Sequence, residues 1–526
     1  MPPKTFIHKA RAPRADMPKR APAASATANK ASRPELPKRA PAAAPRAELP
    51  KRAPAASAPA SKAPRSDIPK RAPAPSGARG RPEPSAPRAE RPTRASEQRS
   101  SAPRAPKPPR TGAATTADGL LRVRLSRGKS KPFWVGHPWV FSGAIDEVRG
   151  AVGELGGLCL VEDERDNVLG WGYYNPNGQI AVRLWVHRRS TDLLFETPDF
   201  KTFLQARLAD ALALRKSLGL VNRPELNVYR LVNAEGDGLS GLIVDRLGDV
   251  LSIQLNSRGM VEHRAAVLDA LRRLTGLEKM LVAIPETAAR MEGLIPSLER
   301  VGPPAFTESR AFEVLEHGVT YDIDLGAVQK TGFYADQREN RLQFAALCKG
   351  QRVLDAYCHS GGFGLQALKH GAAHVTFIDS SEPTIEAARR NAEKNGLADR
   401  AELLADDAIT FLKEKQALGE TWPRIIIDPP KFAQGRSNLD DALQKYARLN
   451  TLALSVLAED GLMLTCSCSQ HVSEEDFGRM LTDAGHRLRK TVRVLARWGQ
   501  PADHPTSSVA PEGRYLKAWL VSATAR

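Results

Sequence analysis

Cysteine is scarce in this chain: five in 526 residues, at positions 159, 348, 358, 466 and 468. The set is odd in number and no pair has zinc-ligand spacing, which argues against a disulfide framework and predicts free thiols in a reducing cytoplasm. Runs of eighteen or more apolar residues are missing too, so no membrane span is expected. The N-terminus lacks the apolar core of a secretory signal, and its prolines oppose the amphipathic helix of a transit peptide. Acidic residues are thin in the first 110 positions, 7 against 26 Lys+Arg. The net charge of +18 therefore sits there, and the remaining 51 basic and 52 acidic residues nearly cancel. Such a total gives no evidence for a basic face on the folded body.

The same stretch holds 24 of the 40 prolines and repeats one phrase four times, first as Asp16-Met-Pro-Lys-Arg-Ala-Pro-Ala and then from Glu35, Glu48 and Asp67. So little apolar surface cannot offset chain entropy, and residues 1–117 are expected to be disordered. The tail is read as a solubilising linker or as a polybasic arm that raises the on-rate for RNA. No metal site is expected anywhere in the chain.

Past the tail, Leu121, Val123 and Leu125 alternate with Arg122, Arg124 and Ser126, the period of a half-buried strand. Basic and aromatic residues then interleave through Lys129, Lys131, Trp134, Trp139 and Phe141, followed by short runs such as Leu158–Val161 and Ile180–Trp185. This predicts a small β-barrel over 118–193, with Trp134, Trp139 and Phe141 filling its core. Arg122, Arg124, Lys129 and Lys131 are candidates for RNA phosphates. Residues 194–320 read as an α+β layer, with helices over Phe203–Leu218 and Val261–Leu274. From 321 to 526 strands and helices alternate, as in a mainly parallel doubly wound sheet. The fold class is multidomain α/β.

In such sheets ligands sit beyond the carboxyl ends of the strands. One strand runs into Asp355-Ala-Tyr357-Cys-His-Ser360-Gly361-Gly362-Phe363-Gly364, and glycines between strand and helix let a ligand approach backbone N–H groups. Asp379, at the next strand end, can accept from ribose hydroxyls, and Asp407 after the third can accept from an adenine amine. These acids describe an adenosine site without a pyrophosphate grip, which suits S-adenosylmethionine better than a dinucleotide. Phe333 and Tyr334 can cover the adenosine or stack on a flipped base, and Arg338 and Arg341 share a helical face that can meet the methionine carboxylate or phosphate.

Two further strand ends carry the reaction. Ile425-Ile-Ile427 leads into Asp428-Pro-Pro-Lys431-Phe432, and Gly461–Leu464 leads into Thr465-Cys466-Ser467-Cys468-Ser469. Carbon 5 of cytosine is a poor nucleophile until a thiolate adds at carbon 6, and Cys468 beside the Asp428 loop can do that. Alternation puts Cys466 on the same face, as filler.

Several strings resemble the bacterial 23S ribosomal RNA cytosine-5 methyltransferases of the RlmI type. They are His137–Gly143, Lys330–Arg341, Asp428–Phe432, Ser467–Ser469, Ala502–Pro505 and Glu512–Lys517, and the likeness covers about residues 120–526. It implies a PUA RNA-binding domain, a central α+β domain and a Rossmann-like methyltransferase domain. It also implies Cys468 as nucleophile and the Asp428 loop against the target base, with 23S rRNA or the large subunit as partner. Tyr334 and Lys431 then join the RNA contacts, and a homodimer is left open. Base N-methylation, with Asp428 holding the exocyclic amine, and a non-catalytic RNA-binding assembly factor stand as the other readings.

Overall fold

The computed structural model describes residues 110–112, 120–150, 153, 156–188, 197–324, 333–433 and 435–525. The repeats of the tail, and Lys330, Thr331 and Gly332 of the resembling strings, lie outside the described residues.

Seven strands form the first sheet, in the order Arg110–Gly112, Ile145–Arg149, Leu121–Leu125, Gly157–Glu162, Val168–Tyr174, Ile180–His187, Trp139–Phe141. Arg110–Gly112 lies within the span expected to be disordered, yet it pairs parallel to Ile145–Arg149. The aromatics depart from expectation. Trp134 is 52% and Phe141 48% exposed, and the core is filled instead by Phe133 and Val140. Geometry explains both. Lys131–Trp134 is a single helical turn that turns Phe133 inward, so its neighbour points away. Trp139–Phe141 is a three-residue strand with Val140 on the inner face, so the flanking rings point outward.

The central layer is a five-stranded sheet in the order Ser297–Val301, Lys279–Ile284, Val250–Leu255, Leu242–Leu247, Val228–Asn233. Helices Phe200–Ser217 and Arg264–Thr275 pack on it, the first capped by Asp199 accepting from the Thr202 N–H. The helix expected to begin at Val261 is broken at His263, leaving Arg258–Glu262 as a separate turn.

The last sheet has strands β1 (Arg352–Ala356), β2 (His374–Asp379), β3 (Ala401–Ala405), β4 (Trp422–Ile427), β5 (Leu457–Ser467), β6 (Lys490–Trp498) and β7 (Lys517–Ala525). Their order is β3-β2-β1-β4-β5-β7-β6. The first five are parallel, and β7 runs antiparallel between β5 and β6. Helices cover both faces, which is why β4 reads as unbroken isoleucine: Ile425 and Ile427 enter one core and Ile426 the other. The order reverses between β1 and β4, so the crevice must open above β1, β2 and β4.

The segment 499–516 between β6 and β7 ties the layers together. Asp503 accepts from the Arg230 backbone N–H at 2.8 Å and from both terminal nitrogens of Arg338 at 2.8 and 3.1 Å. Burial pushes this carboxyl up, but His504 and Arg338 outweigh it and hold Asp503 well below the usual carboxylate range. Asn233 donates to the Pro505 carbonyl at 2.8 Å, and Gly236 has no room for a Cβ, which would lie 1.9 Å from that same oxygen. On the barrel side His137 Nε2 meets Glu512 Oε1 at 3.5 Å. The Glu512 carbonyl in turn accepts from Gln470 at 2.6 Å, two residues beyond Cys468.

Candidate active site

Asp355, at the end of β1, is buried, and its Oδ2 accepts from the Gly364 N–H at 2.8 Å. This bond pins the glycine turn to the strand. Between them Tyr357 (φ +63°) and His359 (φ +50°) take left-handed backbone conformations, as does Gly361 (φ +86°) ahead of helix Gly362–Lys369. Non-glycine residues in that region are strained and gather at binding sites. Asp379 closes the turn from β2, accepting from the His359 N–H and the Ser381 N–H, each at 3.1 Å. The crevice above is lined by Phe333, Tyr334, Arg341, Tyr357, Gly362 and Asp428, among others. Ser360 and Phe363 also face it. Tyr334 is 43% exposed, its ring edge-on to His359 at 5.1 Å, whereas Phe333 is buried against Tyr321.

Asp428 follows β4 and accepts from Gln337 Nε2 at 3.0 Å. Burial, reinforced by the nearby charge of Asp336, pushes its carboxyl up to about 7. Cys468 sits one residue past the end of β5, so the strand's alternation does not reach it and it does not share a ladder face with Cys466. Cys466 is fully buried in the core, while Cys468 alone among the five thiols is partly exposed. Its neighbours are clamped. Ser467 Oγ donates to the Tyr446 hydroxyl at 3.0 Å, which also meets Ser469 Oγ at 3.1 Å. Ser469 Oγ accepts from the Ala433 N–H at 3.2 Å, joining the cysteine turn to the Asp428 loop.

A PUA-like domain model matches residues 123–186, and an S-adenosylmethionine-dependent methyltransferase model matches residues 238–521. The ribosomal RNA large subunit methyltransferase I of Photobacterium profundum is 36% identical over 403 residues, 76% of this chain and 98% of its own length. The protein of that name from Escherichia coli strain SMS-3-5 is 34% identical over 403 residues, with the same coverage of both chains. The chain belongs to this methyltransferase family. Among solved structures, SMU.776 complexed with SAH aligns with a TM-score of 0.65 at 19% identity, over 76% of this chain and all of that one, and this likeness speaks for the fold.

S-adenosylmethionine is the family's methyl donor, and the site fits it. Arg341 is only 5% exposed and lines the crevice, yet its Nε has no hydrogen-bond partner among the described residues. Its NH1 is held by Glu316 at 3.0 and 2.8 Å, and NH2 by the Tyr334 carbonyl at 2.9 Å. A buried donor left over in this way suits a carboxylate ligand. Gly362 keeps the approach clear, since a Cβ there would lie 2.7 Å from that Nε.

Other candidates are placed differently. Arg338 is 1% exposed and spent on Asp503, so it belongs to the layer junction and not to the cofactor crevice. Its partner lies 165 residues away in sequence, beyond the reach of a helical-face argument. Arg122 is paired with Glu162, and Arg124 with Asp146 and Glu147, so acidic neighbours on adjoining strands neutralise both and leave them no free charge for phosphate. Lys129, Lys131 and Lys431 are exposed. Asp407 is exposed and uses Oδ1 to cap helix Ala408–Leu418, accepting from the Thr410 N–H at 2.9 Å, which leaves Oδ2 for a ligand. Sequence reasoning passed over Gln337, Tyr446 and Lys517. Gln337 stands within the resembling string from Lys330 to Arg341, and Lys517 ends the one from Glu512, so the only signal for either was membership of a string.

Proposed function

We propose that the protein methylates carbon 5 of a cytosine in large-subunit (23S) ribosomal RNA, with Cys468 as the attacking thiolate. The clamped Ser467-Cys468-Ser469 turn, bonded to the Asp428 loop through Ser469 and Ala433, carries this reading. The bound cofactor supplies an electrophilic methyl group on a sulfonium. The Cys468 sulfur adds to carbon 6, and the displaced ring electrons are taken up at nitrogen 3 with a proton from Asp428. Carbon 5, now an enamine carbon, takes the methyl group. Loss of the carbon-5 proton to a base then restores the ring double bond and expels the Cys468 thiolate, while nitrogen 3 returns its proton. A carboxyl held at about 7 by burial is suited to giving and reclaiming that proton.

Phe432 leans on Tyr446 at 4.8 Å between ring centres, which ties the Asp428 loop to the hydroxyl that clamps the cysteine turn. Tyr334 stands at the crevice mouth for a flipped base, exposed Lys431 follows the Asp428 turn in sequence, and Lys129, Lys131 and Trp134 give the barrel a basic and aromatic edge for the RNA strand. No helix among the described residues is long and apolar enough to cross a membrane. From the ribosomal RNA substrate assigned by this reading we infer a cytoplasmic location.

Bisulfite sequencing of 23S rRNA from a deletion strain should show one cytosine losing its protection, restored by the wild-type gene. An unchanged pattern would overturn the proposal. Asp379→Ala should weaken cofactor binding about 10- to 100-fold in calorimetry, since it removes charge-assisted bonds to the ribose and frees the His359 turn. An unaltered Kd would remove Asp379 from the ribose.

A further inference from the structure

Lys517 is 6% exposed, and among the described residues it makes no ion pair with a carboxylate. Its Nζ donates to the carbonyls of Ser469 at 2.7 Å, Val472 at 2.8 Å and Tyr515 at 2.8 Å. Three carbonyls take up all three N–H bonds of an ammonium, so this group has no proton left to direct at a substrate. What it retains is charge and position. A buried ammonium surrounded only by neutral dipoles is costly unless an anion stands near. On the opposite strand Lys517 is the register partner of Ser467, and it binds the carbonyl of Ser469, so it brackets Cys468 from both sides.

We propose that Lys517 is the positioning residue of Cys468: it fixes the turn that carries the thiol and supplies the positive charge that favours its thiolate. This rests on the nucleophilic role assigned to Cys468. A nearby cation in a partly exposed setting is the usual means of activating a cysteine. The other charges about Lys517 are few: Glu474 supports the ammonium, while Lys431 and Arg514 oppose it. Tyr334, Tyr446 and Cys466 are among the titratable groups that feel the charge of Cys468. Burial brings Lys517 down to about 8, with Cys468 pushing back, so the ammonium persists through neutral pH.

The test uses the full chain without RNA. The rate of alkylation of Cys468 by iodoacetamide, followed by peptide mass spectrometry, is measured against pH; the other four cysteines are buried and serve as internal controls. Lys517→Met should raise the midpoint of the Cys468 curve by about one pH unit or more, and Lys517→Arg should keep it within about half a unit. A folded Lys517→Met protein with the wild-type midpoint would overturn the proposal. Should that variant not fold, the coupling can be read from the other side. Cys468→Ser should lower the titration midpoint of Lys517 in NMR of carbon-13-labelled lysine, because coupling between two sites is reciprocal. An unmoved Lys517 midpoint would likewise overturn it. Failure of the nucleophile reading is distinct, because it appears as methyl transfer by Cys468→Ala and not in either titration.

Discussion

Cys468→Ala should lower methyl transfer by about 10,000-fold or more, as removal of a covalent nucleophile does in other enzymes. Cofactor binding should be unaltered, because Cys468 is not among the residues lining the crevice beside Arg341 and Tyr357. RNA carrying 5-fluorocytosine at the target should form a denaturation-resistant complex with the wild-type protein, since fluorine blocks the final elimination. The variant should form none. Retained methylation by Cys468→Ala would transfer the chemistry to the exocyclic amine, with Asp428 as its acceptor.

Asp428→Asn carries the second largest expected effect, about 100- to 1,000-fold in kcat if the carboxyl moves a proton to and from the ring. Its pH signature separates that role from simple packing. The folded-state carboxyl is raised from an ordinary 3.8 to about 7, so its protonated fraction falls as pH rises through 7. The wild-type rate should therefore bend downward above about pH 7, and the Asn variant should lack that limb. Stability follows the same sign. The contribution of a raised carboxyl is complete below its unfolded value and is lost as pH rises through the folded one. Asp428→Asn should thus keep its Tm better than wild type between pH 5 and 8, an outcome thermal melts can check. A rate profile that bends alike in both proteins would assign the limb to another group.

Much of this site could be read in the sequence because the fold puts chemistry where strands stop. Asp355 and Asp379 close apolar strands, Asp407 and Asp428 follow them, and the glycine turn comes soon after β1, so local pattern and position in the fold coincide. What escaped depends on contacts between distant segments. Arg338 looked available beside Arg341, since nothing near it in sequence announces Asp503. Arg122 and Arg124 read as a basic strand because Glu162, Asp146 and Glu147 arrive from other strands. Lys517 stood out only as the end of the string from Glu512, although it is bonded to a turn 48 residues earlier. The barrel aromatics failed at finer grain: one residue of phase in a four-residue helix decides between Phe133 inside and Trp134 outside.

The segment 499–516 also bears on how these layers can be exchanged. Asp503 receives bonds from Arg230 in the central sheet and from Arg338 ahead of β1, and Arg215 from the central helix reaches its carbonyl. The catalytic sheet is therefore not a module that ends at its own first strand. A chimera that took the barrel and central sheet from a relative would set foreign partners against the native Asp503 loop. It would have to carry the relative's counterpart of residues 499–516 along with them, a C-terminal patch travelling with an N-terminal transplant.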